Sequence, residues 1–369
     1  MTSTIRLVKY SLAAVAYIAL CWVLVVVNIK YSFVSENANL SVHSTDGLLF
    51  SYVRNNSEST VAFSFEEEAV VRLEDLDLGT AVSEKEVERD LRRISRICER
   101  YNKTEEFIRN HFLYSPKNRA LYCWIRKVGS TSFTKFFGDL RGRRVARNYY
   151  REINFLAPET VQQLERIIDD ESVFKFVVVR HPFERLVSSY RDRIEDNSRY
   201  TAQAWMYAPR IFHLTRPELF RSNETGGNGL QRIFNAHRRL KLIPTFAEFV
   251  EWLLKERPEN DDVHWYRYNE HCSLCAAKFD YVLKLDNYTV SDVDYIFSKL
   301  GLDTNRTYLP KLQLSRGGST DFARTCEYFA SLSRDSVLRL YDRYRIDFEM
   351  FDYGHEDYLD CAVTRVTGS

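Results

Sequence analysis

The sequence predicts an α/β fold in which a mostly parallel sheet is flanked by helices. Three short apolar runs indicate buried strands, at residues 120–125, 173–179 and 279–285. Each run is followed by a polar loop and then by apolar residues at three- and four-residue spacing, which is typical of an amphipathic helix. Repeated strand, loop and helix units favour parallel strands joined by helices that cover the sheet.

Local sequence patterns support three of the predicted helices. Apolar residues recur at helical spacing between Val87 and Cys98, which predicts a helix over residues 84–112. The second strand run leads into a predicted helix over residues 183–194. The helix after the third run should end at Gly301, because glycine tolerates the left-handed conformation that terminates many helices.

Composition describes a globular protein with a substantial core. The chain has 369 residues, 45% hydrophobic and 28% charged, which excludes disordered and fibrous classes. Its formal net charge of +1 gives no global field that would recruit nucleic acid. The charge is unevenly distributed, with +3 over residues 1–30, −7 over 31–82 and +5 over 83–369. The region predicted to fold is therefore mildly basic.

An uncharged stretch near the N-terminus predicts a membrane anchor. Residues 10–29 carry no charge, and at 1.5 Å per residue they would span about 30 Å, the thickness of a hydrocarbon core. A cleaved signal peptide is the alternative, but its apolar region is shorter and ends in a small-residue cleavage site. Arg6 and Lys9 precede the stretch and favour a cytosolic N-terminus. We expect a cytosolic tail (1–9), a transmembrane helix (10–29), a luminal stem (30–83) and a luminal catalytic domain (84–369).

Two further patterns favour a secretory compartment. All six N-glycosylation sequons follow the apolar stretch, and N-glycans are expected at some of them: Asn39, Asn55, Asn102, Asn223, Asn287 and Asn305. Six of the seven cysteines also follow it: Cys98, Cys123, Cys272, Cys275, Cys326 and Cys361. An even set suits disulfides in an oxidising lumen, but the sequence does not select among the connectivities.

The first strand run is followed by residues suited to binding a phosphate group. The loop reads Arg126-Lys127-Val128-Gly129-Ser130-Thr131-Ser132-Phe133. It combines a lysine, a glycine that permits close backbone approach, and three hydroxyls at the start of a helix, where N–H groups favour anions. It is not a Walker A loop, because the lysine precedes the glycine and hydroxyls, and nucleoside triphosphate hydrolysis is therefore disfavoured.

The second strand run is followed by a second anion-binding pattern. Arg180 leaves the strand, Pro182 can begin a helix, and Ser188 follows about two turns later. A guanidinium and a hydroxyl in these positions would bind a second phosphate.

Together the two segments resemble the 5′-phosphosulfate and 3′-phosphate motifs of Golgi carbohydrate sulfotransferases. The branch is that of the chondroitin, dermatan and GalNAc 4-O-sulfotransferases and the glucuronyl 3-O-sulfotransferase. Typical members read P-K-V-A-C-T-N-W and V-R-x-P-F-E-R-L-V-S-[AS]-Y-R. The second motif is nearly complete over residues 179–191, while the first retains only Lys127, Val128 and Thr131. The resemblance extends in order over residues 120–353, with the cysteine pair at 272 and 275 and a final aromatic motif at Phe351 and Tyr353.

This resemblance implies a P-loop-like sulfotransferase fold and 3′-phosphoadenosine 5′-phosphosulfate (PAPS) as the sulfate donor. Lys127 would contact the bridging and 5′-phosphate oxygens and stabilise the leaving group. Arg180 and Ser188 would hold the 3′-phosphate. The implied donor-binding set is Arg126, Lys127, Val128, Gly129, Ser130, Thr131, Ser132, Arg180 and Ser188. The family chemistry requires no metal, and the implied acceptor is a sugar hydroxyl, with GalNAc O4 of chondroitin or dermatan favoured.

Several roles stay open at the level of sequence. His181 and His264 are both candidates for the catalytic base. The pair Cys272 and Cys275, with nearby histidines, admits a zinc site, although disulfides are favoured in an oxidising lumen. Two basic clusters are either solvated surface or a docking groove for an anionic glycan. They comprise Arg141, Arg143, Arg144, Arg147 and Arg151, and Arg238, Arg239 and Lys241.

Two other functions compete with sulfate transfer. A Golgi glycosyltransferase shares the anchor-and-stem layout, but the early D-x-D motif, from Asp75 to Asp77, lies in the predicted stem. A catalytically inactive family member that binds glycans is the second alternative. Retention of Lys127, Arg180 and Ser188 argues against it.

Overall fold

A computed structural model describes residues 82–101, 106–143, 149–221, 229–304, 307, 309 and 318–362 of the chain. The predicted anchor and almost all of the predicted stem lie outside these residues, as do the sequons at Asn39, Asn55, Asn102, Asn223 and Asn305. Within the described ranges, no helix has both the length and the apolar composition required to cross a bilayer. The sequon at Asn287 is described, and this asparagine is exposed on a turn.

The sheet has four strands in the order β1 (Phe112–Ser115), β2 (Ala120–Cys123), β3 (Phe174–Val179) and β4 (Tyr281–Lys284). β1 is antiparallel to β2, whereas β2, β3 and β4 are parallel to one another. β2 is buried throughout, and five of the six residues of β3 are buried. A strand buried on both faces is expected where helices cover a parallel sheet. The predicted α/β class is confirmed.

Thirteen α-helices are present in the described residues, and we number them in chain order. The first six are α1 (Glu84–Tyr101), α2 (Ser130–Leu140), α3 (Tyr149–Leu156), α4 (Val161–Asp169), α5 (Pro182–Tyr190) and α6 (Ala202–Thr215). The next four are α7 (Gly229–Ile233), α8 (Phe246–Leu253), α9 (Tyr268–Cys272) and α10 (Val290–Lys299). The last three are α11 (Phe322–Phe329), α12 (Arg334–Phe351) and α13 (Glu356–Cys361). Gly301 follows α10 with φ 67°, as its predicted role as a stop requires.

Two predicted helices differ from the structure. The helix predicted over residues 84–112 ends at Tyr101, and Phe112 begins β1 instead. The reason is tertiary: Phe112 pairs with Cys123 and is fully buried at the edge of the sheet, a contact that local periodicity cannot reveal. The helix predicted over residues 183–194 is α5 followed by a π-helical segment, Arg191–Glu195.

The described residues form two main cores. The first packs α1, α2, α4 and α10 against the sheet. The second is almost entirely helical and combines α5 with α6, α8, α11 and α12. Every residue of α5 is buried, including Glu184 and Arg185. Charged residues in such a place need partners, and these partners define the site described below.

Three disulfides pair all six cysteines that follow the apolar N-terminal stretch: Cys98–Cys275, Cys123–Cys272 and Cys326–Cys361. Cys272 and Cys275 therefore belong to two different disulfides, which overturns the zinc alternative. Cys123 is the last residue of β2, and its disulfide ties the start of the Lys127 loop to the end of α9.

Replacing Cys123 and Cys272 together by alanine should lower the free energy of unfolding by up to about 5 kcal/mol, since the disulfide closes a long loop of the unfolded chain. Urea denaturation of the full chain measures this change, and peptide mapping without reduction checks the three pairings. The double variant Cys326→Ala/Cys361→Ala is the control and should be less affected, because its loop spans only 35 residues. Equal losses in the two variants would contradict the loop-length argument.

Candidate active site

The two anion-binding segments meet at one edge of the sheet. β2 and β3 are adjacent and parallel, with Cys123 opposite Val177, so their carboxyl ends point in the same direction. The Lys127 loop follows β2, and Arg180 follows β3 directly. Ligands of open α/β sheets bind outside the carboxyl ends of the strands.

The loop after β2 is shaped by two residues with positive φ. Lys127 has φ 71° and Gly129 has φ 77°, and Gly129 forms the N-cap of α2. Left-handed conformations of this kind turn successive N–H groups toward one point, the usual form of a backbone anion site. Val128 is fully buried beneath the loop, Ser130 and Thr131 are partly exposed in the first turn of α2, and Ser132 is 7% exposed.

Arg185 fixes the position of this loop. Its guanidinium donates hydrogen bonds to the Arg126 carbonyl at 3.0 Å and the Tyr266 carbonyl at 2.6 Å. It also lies over the Tyr268 ring, 4.6 Å from the centroid. The residue is 2% exposed. A buried arginine needs acceptors for its donors, and here backbone carbonyls, including one on the phosphate-binding loop, provide them.

His181 is the N-cap of α5 and is not available as a base. Its Nδ1 accepts a hydrogen bond from the Phe183 N–H at 3.2 Å, and its Nε2 lies 2.8 Å from the Gly354 carbonyl. Burial lowers the pKa of His181 to about 4 and keeps the ring neutral. Nδ1 therefore accepts, Nε2–H donates to Gly354, and both ring nitrogens are used for structure.

One face of α5 and its π-helical extension connects the two motifs. Glu184, Ser188 and Asp192 are four residues apart and lie along this face. The Arg180 Nε is 3.3 Å from Glu184 Oε2, and the Lys127 Nζ is 3.0 Å from Asp192 Oδ2. Ser188, 2% exposed, lies between the two carboxylates, which are separated along the axis by about 12 Å. Lys127, Ser188 and Arg180 are therefore brought together along one helix face beside the carboxyl edge of the sheet, and the region between Lys127 and Arg180 is called the cleft below.

The Lys127–Asp192 pair is largely enclosed, with side-chain exposures of 16% and 15%. Burial lowers the pKa of Lys127, and the guanidiniums of Arg193 and Arg180 lower it further, while Asp192 opposes both effects. Burial by itself would raise the pKa of Asp192, but Lys127 and Arg193 together bring it below its usual value. Asp192 is contacted by three cations, Lys127, Arg193 and Arg199, so the local field is positive. Asp192 was not identified from the sequence, although its spacing from Ser188 placed it on the same helix face.

A distant segment closes the Arg180 end of the cleft. Arg180 donates a hydrogen bond from Nη2 to the Thr320 carbonyl. Arg191 donates from Nη1 to the Thr320 hydroxyl at 2.6 Å and to the Ser319 carbonyl at 3.2 Å. The segment around Thr320 lies about 130 residues beyond the motif (separations of 127 to 140 residues). Sequence reasoning did not identify it, because no local pattern marks a loop that is held by its carbonyls.

His264 is arranged differently from His181. Its Nδ1 is 2.5 Å from Asp262 Oδ1, and its buried Nε2 has no hydrogen-bond partner among the described residues. Asp262 also accepts hydrogen bonds from Gln203 at 3.3 Å and from the Tyr207 hydroxyl at 3.4 Å. Burial lowers the pKa of His264 to about 4, despite the opposing effect of Asp262. The neutral ring donates from Nδ1, so Nε2 carries a lone pair.

Arg185 connects the His264 segment to the donor loop, because its guanidinium donates to the Val263 carbonyl at 3.5 Å as well as to the Arg126 carbonyl at 3.0 Å. The Arg193 and Arg126 guanidiniums lower the pKa of His264 further. Arg126 itself lies over the Trp124 ring, 4.7 Å from the centroid. The segment that carries His264 is therefore packed beside the loop that carries Arg126 and Lys127.

Comparisons with known proteins agree with this geometry. The profile of the sulfotransferase family matches residues 110–354. Carbohydrate sulfotransferase 10 of Rattus norvegicus is 26% identical over 333 residues, covering 84% of this chain and 83% of the relative. Carbohydrate sulfotransferase 8 of Mus musculus is 28% identical over 64% of this chain and 55% of its own length. Carbohydrate sulfotransferase 11 of Mus musculus is 26% identical over 68% of each chain.

No solved structure matches the chain significantly. The family match begins at the 3-10 turn before β1 and ends at Gly354, so it includes the ends of β2 and β3 and the helix α5. The chain belongs to the sulfotransferase family, and the resemblance to its carbohydrate sulfotransferases is confirmed.

Proposed function

We propose that this protein transfers the sulfuryl group of PAPS to a hydroxyl of a glycan acceptor. The observation that carries the proposal is the single face of α5 that holds Lys127 at one end, Arg180 at the other and Ser188 between them. A doubly phosphorylated donor requires two separated cationic sites joined by one cleft. The named relatives, which are carbohydrate sulfotransferases, support a sugar acceptor.

The donor fits this arrangement by charge and by hydrogen-bonding capacity. The loop from Arg126 to Ser132 would bind the 5′-phosphosulfate, using the positive φ values at Lys127 and Gly129 and the start of α2. Arg180 and the buried Ser188 hydroxyl would bind the 3′-phosphate. PAPS acts here as a co-substrate and leaves as 3′-phosphoadenosine 5′-phosphate.

The reaction would be an in-line displacement at sulfur. The acceptor oxygen forms a bond to sulfur while the bond from sulfur to the phosphate oxygen breaks, and the electron pair stays on the phosphate. Lys127 would stabilise the charge that develops on this leaving oxygen. A base must accept the proton of the acceptor hydroxyl.

We assign the role of base to His264. Asp262 fixes its tautomer through Nδ1, and Nε2 is left as the proton acceptor. His181, the other candidate, is bonded through both nitrogens. Asp192 is a weaker base than His264, because the cations around it lower its pKa.

The compartment and topology are part of the proposal. Three disulfides favour an oxidising lumen, and the uncharged stretch at residues 10–29 would anchor a single-pass type II protein in the Golgi membrane. The stem (30–83) would connect this anchor to the catalytic domain (84–369). GalNAc O4 of chondroitin or dermatan is the favoured acceptor position. The exposed Asn287 is available for N-glycosylation.

Lys127→Ala should reduce sulfate transfer by at least about 100-fold, since it removes the cation at the leaving oxygen. Transfer of radiolabelled sulfate from PAPS to a chondroitin acceptor measures the loss. Lys135→Ala is the matched control, because Lys135 lies on α2 but pairs with Asp139. Undiminished transfer by Lys127→Ala would reject the assigned role.

Arg180→Ala should instead weaken donor binding, raising the Kd for 3′-phosphoadenosine 5′-phosphate by roughly 10- to 100-fold through loss of a charged hydrogen-bond donor. Calorimetry with the full chain measures this Kd. An unchanged Kd would contradict the 3′-phosphate assignment. A wild-type chain with no affinity for the nucleotide would favour the alternative of an inactive binding protein.

Asp192→Asn should separate donor binding from turnover. Removing the carboxylate releases Lys127 and deletes a negative charge beside the phosphate site, so the nucleotide should bind several-fold more tightly. Lys127 loses its positioning partner, and kcat should fall by about tenfold. Titration calorimetry and steady-state kinetics test the two effects. Weaker nucleotide binding would contradict the expectation that Asp192 competes with the donor phosphate for Lys127.

The pH dependence of transfer tests the role of His264. Because the pKa of His264 lies near 4, the base is already deprotonated at neutral pH. We expect kcat/KM to stay level from neutral pH down to about pH 5 and to fall as the pH approaches 4. His264→Ala should lose at least about 100-fold in kcat. His213→Ala is the control, because His213 is an exposed residue of α6.

The variant Asp262→Asn tests whether His264 acts as the base or has only a structural role. Asp262 raises the pKa of His264, so its removal should move the acid limb to lower pH as well as reduce kcat. A reduced rate with an unshifted acid limb would show that the pair acts only through folding.

A further inference from the structure

The turn that carries Arg238, Arg239 and Lys241 is tied to the donor site. Asn197 donates a hydrogen bond to the Leu240 carbonyl at 2.6 Å and accepts one from the Leu240 N–H at 2.9 Å. Asn197 follows the π-helical segment that holds Lys127 through Asp192. The basic turn is therefore hydrogen-bonded to a residue that lies five positions after Asp192, the partner of Lys127.

The turn has a fixed shape. Asn235 Oδ1 accepts hydrogen bonds from the backbone N–H groups of His237 and Arg239, both at 2.9 Å. Arg238 has φ 58° and donates its backbone N–H to the Asn235 carbonyl at 3.0 Å. Two arginines are thus presented on a pre-organised turn, which reduces the ordering cost of binding.

The charges on this turn are not neutralised by the protein. Arg238, Arg239 and Lys241 are exposed, and in the part of the chain that the structure describes none of them is ion-paired with a carboxylate. Other arginines near the surface form ion pairs with carboxylates, as in Arg324–Glu327 and Arg345–Asp342. Residues 191–241 contain ten Lys and Arg against five Asp and Glu. This excess favours an anionic partner.

One of these cations lies over an aromatic side chain. Arg238 lies over the half-buried Trp205, 5.3 Å from the ring centroid, and Trp205 packs against Phe234 at 4.5 Å. Tyr200, three residues after Asn197, is 48% exposed. Rigid aromatic rings with a polar tip suit the apolar faces and hydroxyls of sugar rings.

Two described arginines of the other basic cluster are engaged by neighbouring residues, and one of them, Arg143, also lies over the Phe155 ring, 4.4 Å from the centroid. Arg141 donates to the Phe155 carbonyl at 2.7 Å, and Arg143 is 3.0 Å from Glu152. Both lie at the C-terminal end of α2, about 16 Å along the helix from the donor loop. In the described part of the chain, Arg141 and Arg143 therefore differ from Arg238 and Arg239 in having hydrogen-bond acceptors for their guanidiniums within the protein.

We propose that Arg238, Arg239 and Lys241, with Trp205 and Tyr200, form an acceptor surface that binds the carboxylates or sulfates of an acidic glycan chain. The inference rests on the proposed function and names its substrate class: a polyanionic glycan, as opposed to a neutral oligosaccharide. The chain would lie across the turn and bring one sugar hydroxyl to the Lys127 end of the cleft.

The test compares Arg238→Gln/Arg239→Gln with the matched double variant Arg141→Gln/Arg151→Gln, each in the full chain. The acceptors are a chondroitin hexasaccharide and a neutral GalNAc-capped oligosaccharide. We expect the first variant to raise KM for chondroitin by about tenfold, since each exposed charge pair contributes up to about 1 kcal/mol. Its kcat, its affinity for 3′-phosphoadenosine 5′-phosphate and its use of the neutral acceptor should change by less than about twofold.

Salt provides a second readout. Raising the salt concentration from about 50 to about 300 mM should weaken binding of fluorescent chondroitin to the wild-type chain more than to the Arg238/Arg239 variant. The proposal is overturned if the two variants behave alike or if KM rises equally for both acceptors. Failure of the proposed function is a different result, in which the wild-type chain neither binds the nucleotide nor transfers sulfate.

Discussion

The structure depends on the pairing of the charged side chains in and beside one fully buried helix, α5. Every residue of α5 is shielded from water, yet the helix contains Glu184 and Arg185 and leads directly to Asp192. A buried charge is tolerated only when it is paired or fully hydrogen-bonded. Glu184 meets Arg180, Asp192 meets Lys127, and Arg185 meets backbone carbonyls on the neighbouring loop. The same pairs that make the helix compatible with burial bring both strand ends into one cleft.

The polar cap of α5 follows from the same constraint. A buried helix end with unpaired N–H groups would be unstable, and His181 satisfies one of them through Nδ1. Its Nε2 reaches the Gly354 carbonyl, while Asp286 accepts from the His181 N–H at 3.1 Å and the Tyr353 hydroxyl at 2.6 Å. The C-terminal aromatic motif therefore supports the strand end from which Arg180 extends.

The sequence was sufficient to predict the parallel strands, their carboxyl ends and the two cations, because buried strands and motif spacing are local signals. It did not predict Phe112 as the start of an antiparallel edge strand, since that assignment depends on pairing with Cys123. It left His181 and His264 as equal candidates. The two histidines differ in the contacts of their ring nitrogens. The Nε2 of His181 bonds to the carbonyl of Gly354, 173 positions away, whereas the Nδ1 of His264 bonds to Asp262, two positions away. The sequence did not reveal the disulfide connectivity either, because two of the pairs join cysteines that are 149 and 177 positions apart.

The ion pairs of Lys127 with Asp192 and of Arg180 with Glu184 also bear on how the donor would bind. Lys127 and Arg180 are paired with Asp192 and Glu184, so under the proposed function an arriving phosphate would replace these carboxylates as their partner. Each cation would exchange its carboxylate partner for a more highly charged phosphate, so neither cation would be left unpaired in a poorly solvated site. The displaced Asp192 still faces Arg193 and Arg199. Donor binding would therefore move Lys127 toward the phosphosulfate without creating an isolated charge. The segment from Asp192 to Asn197 joins this exchange to the basic turn at Leu240, so the two substrates would meet on one structural unit.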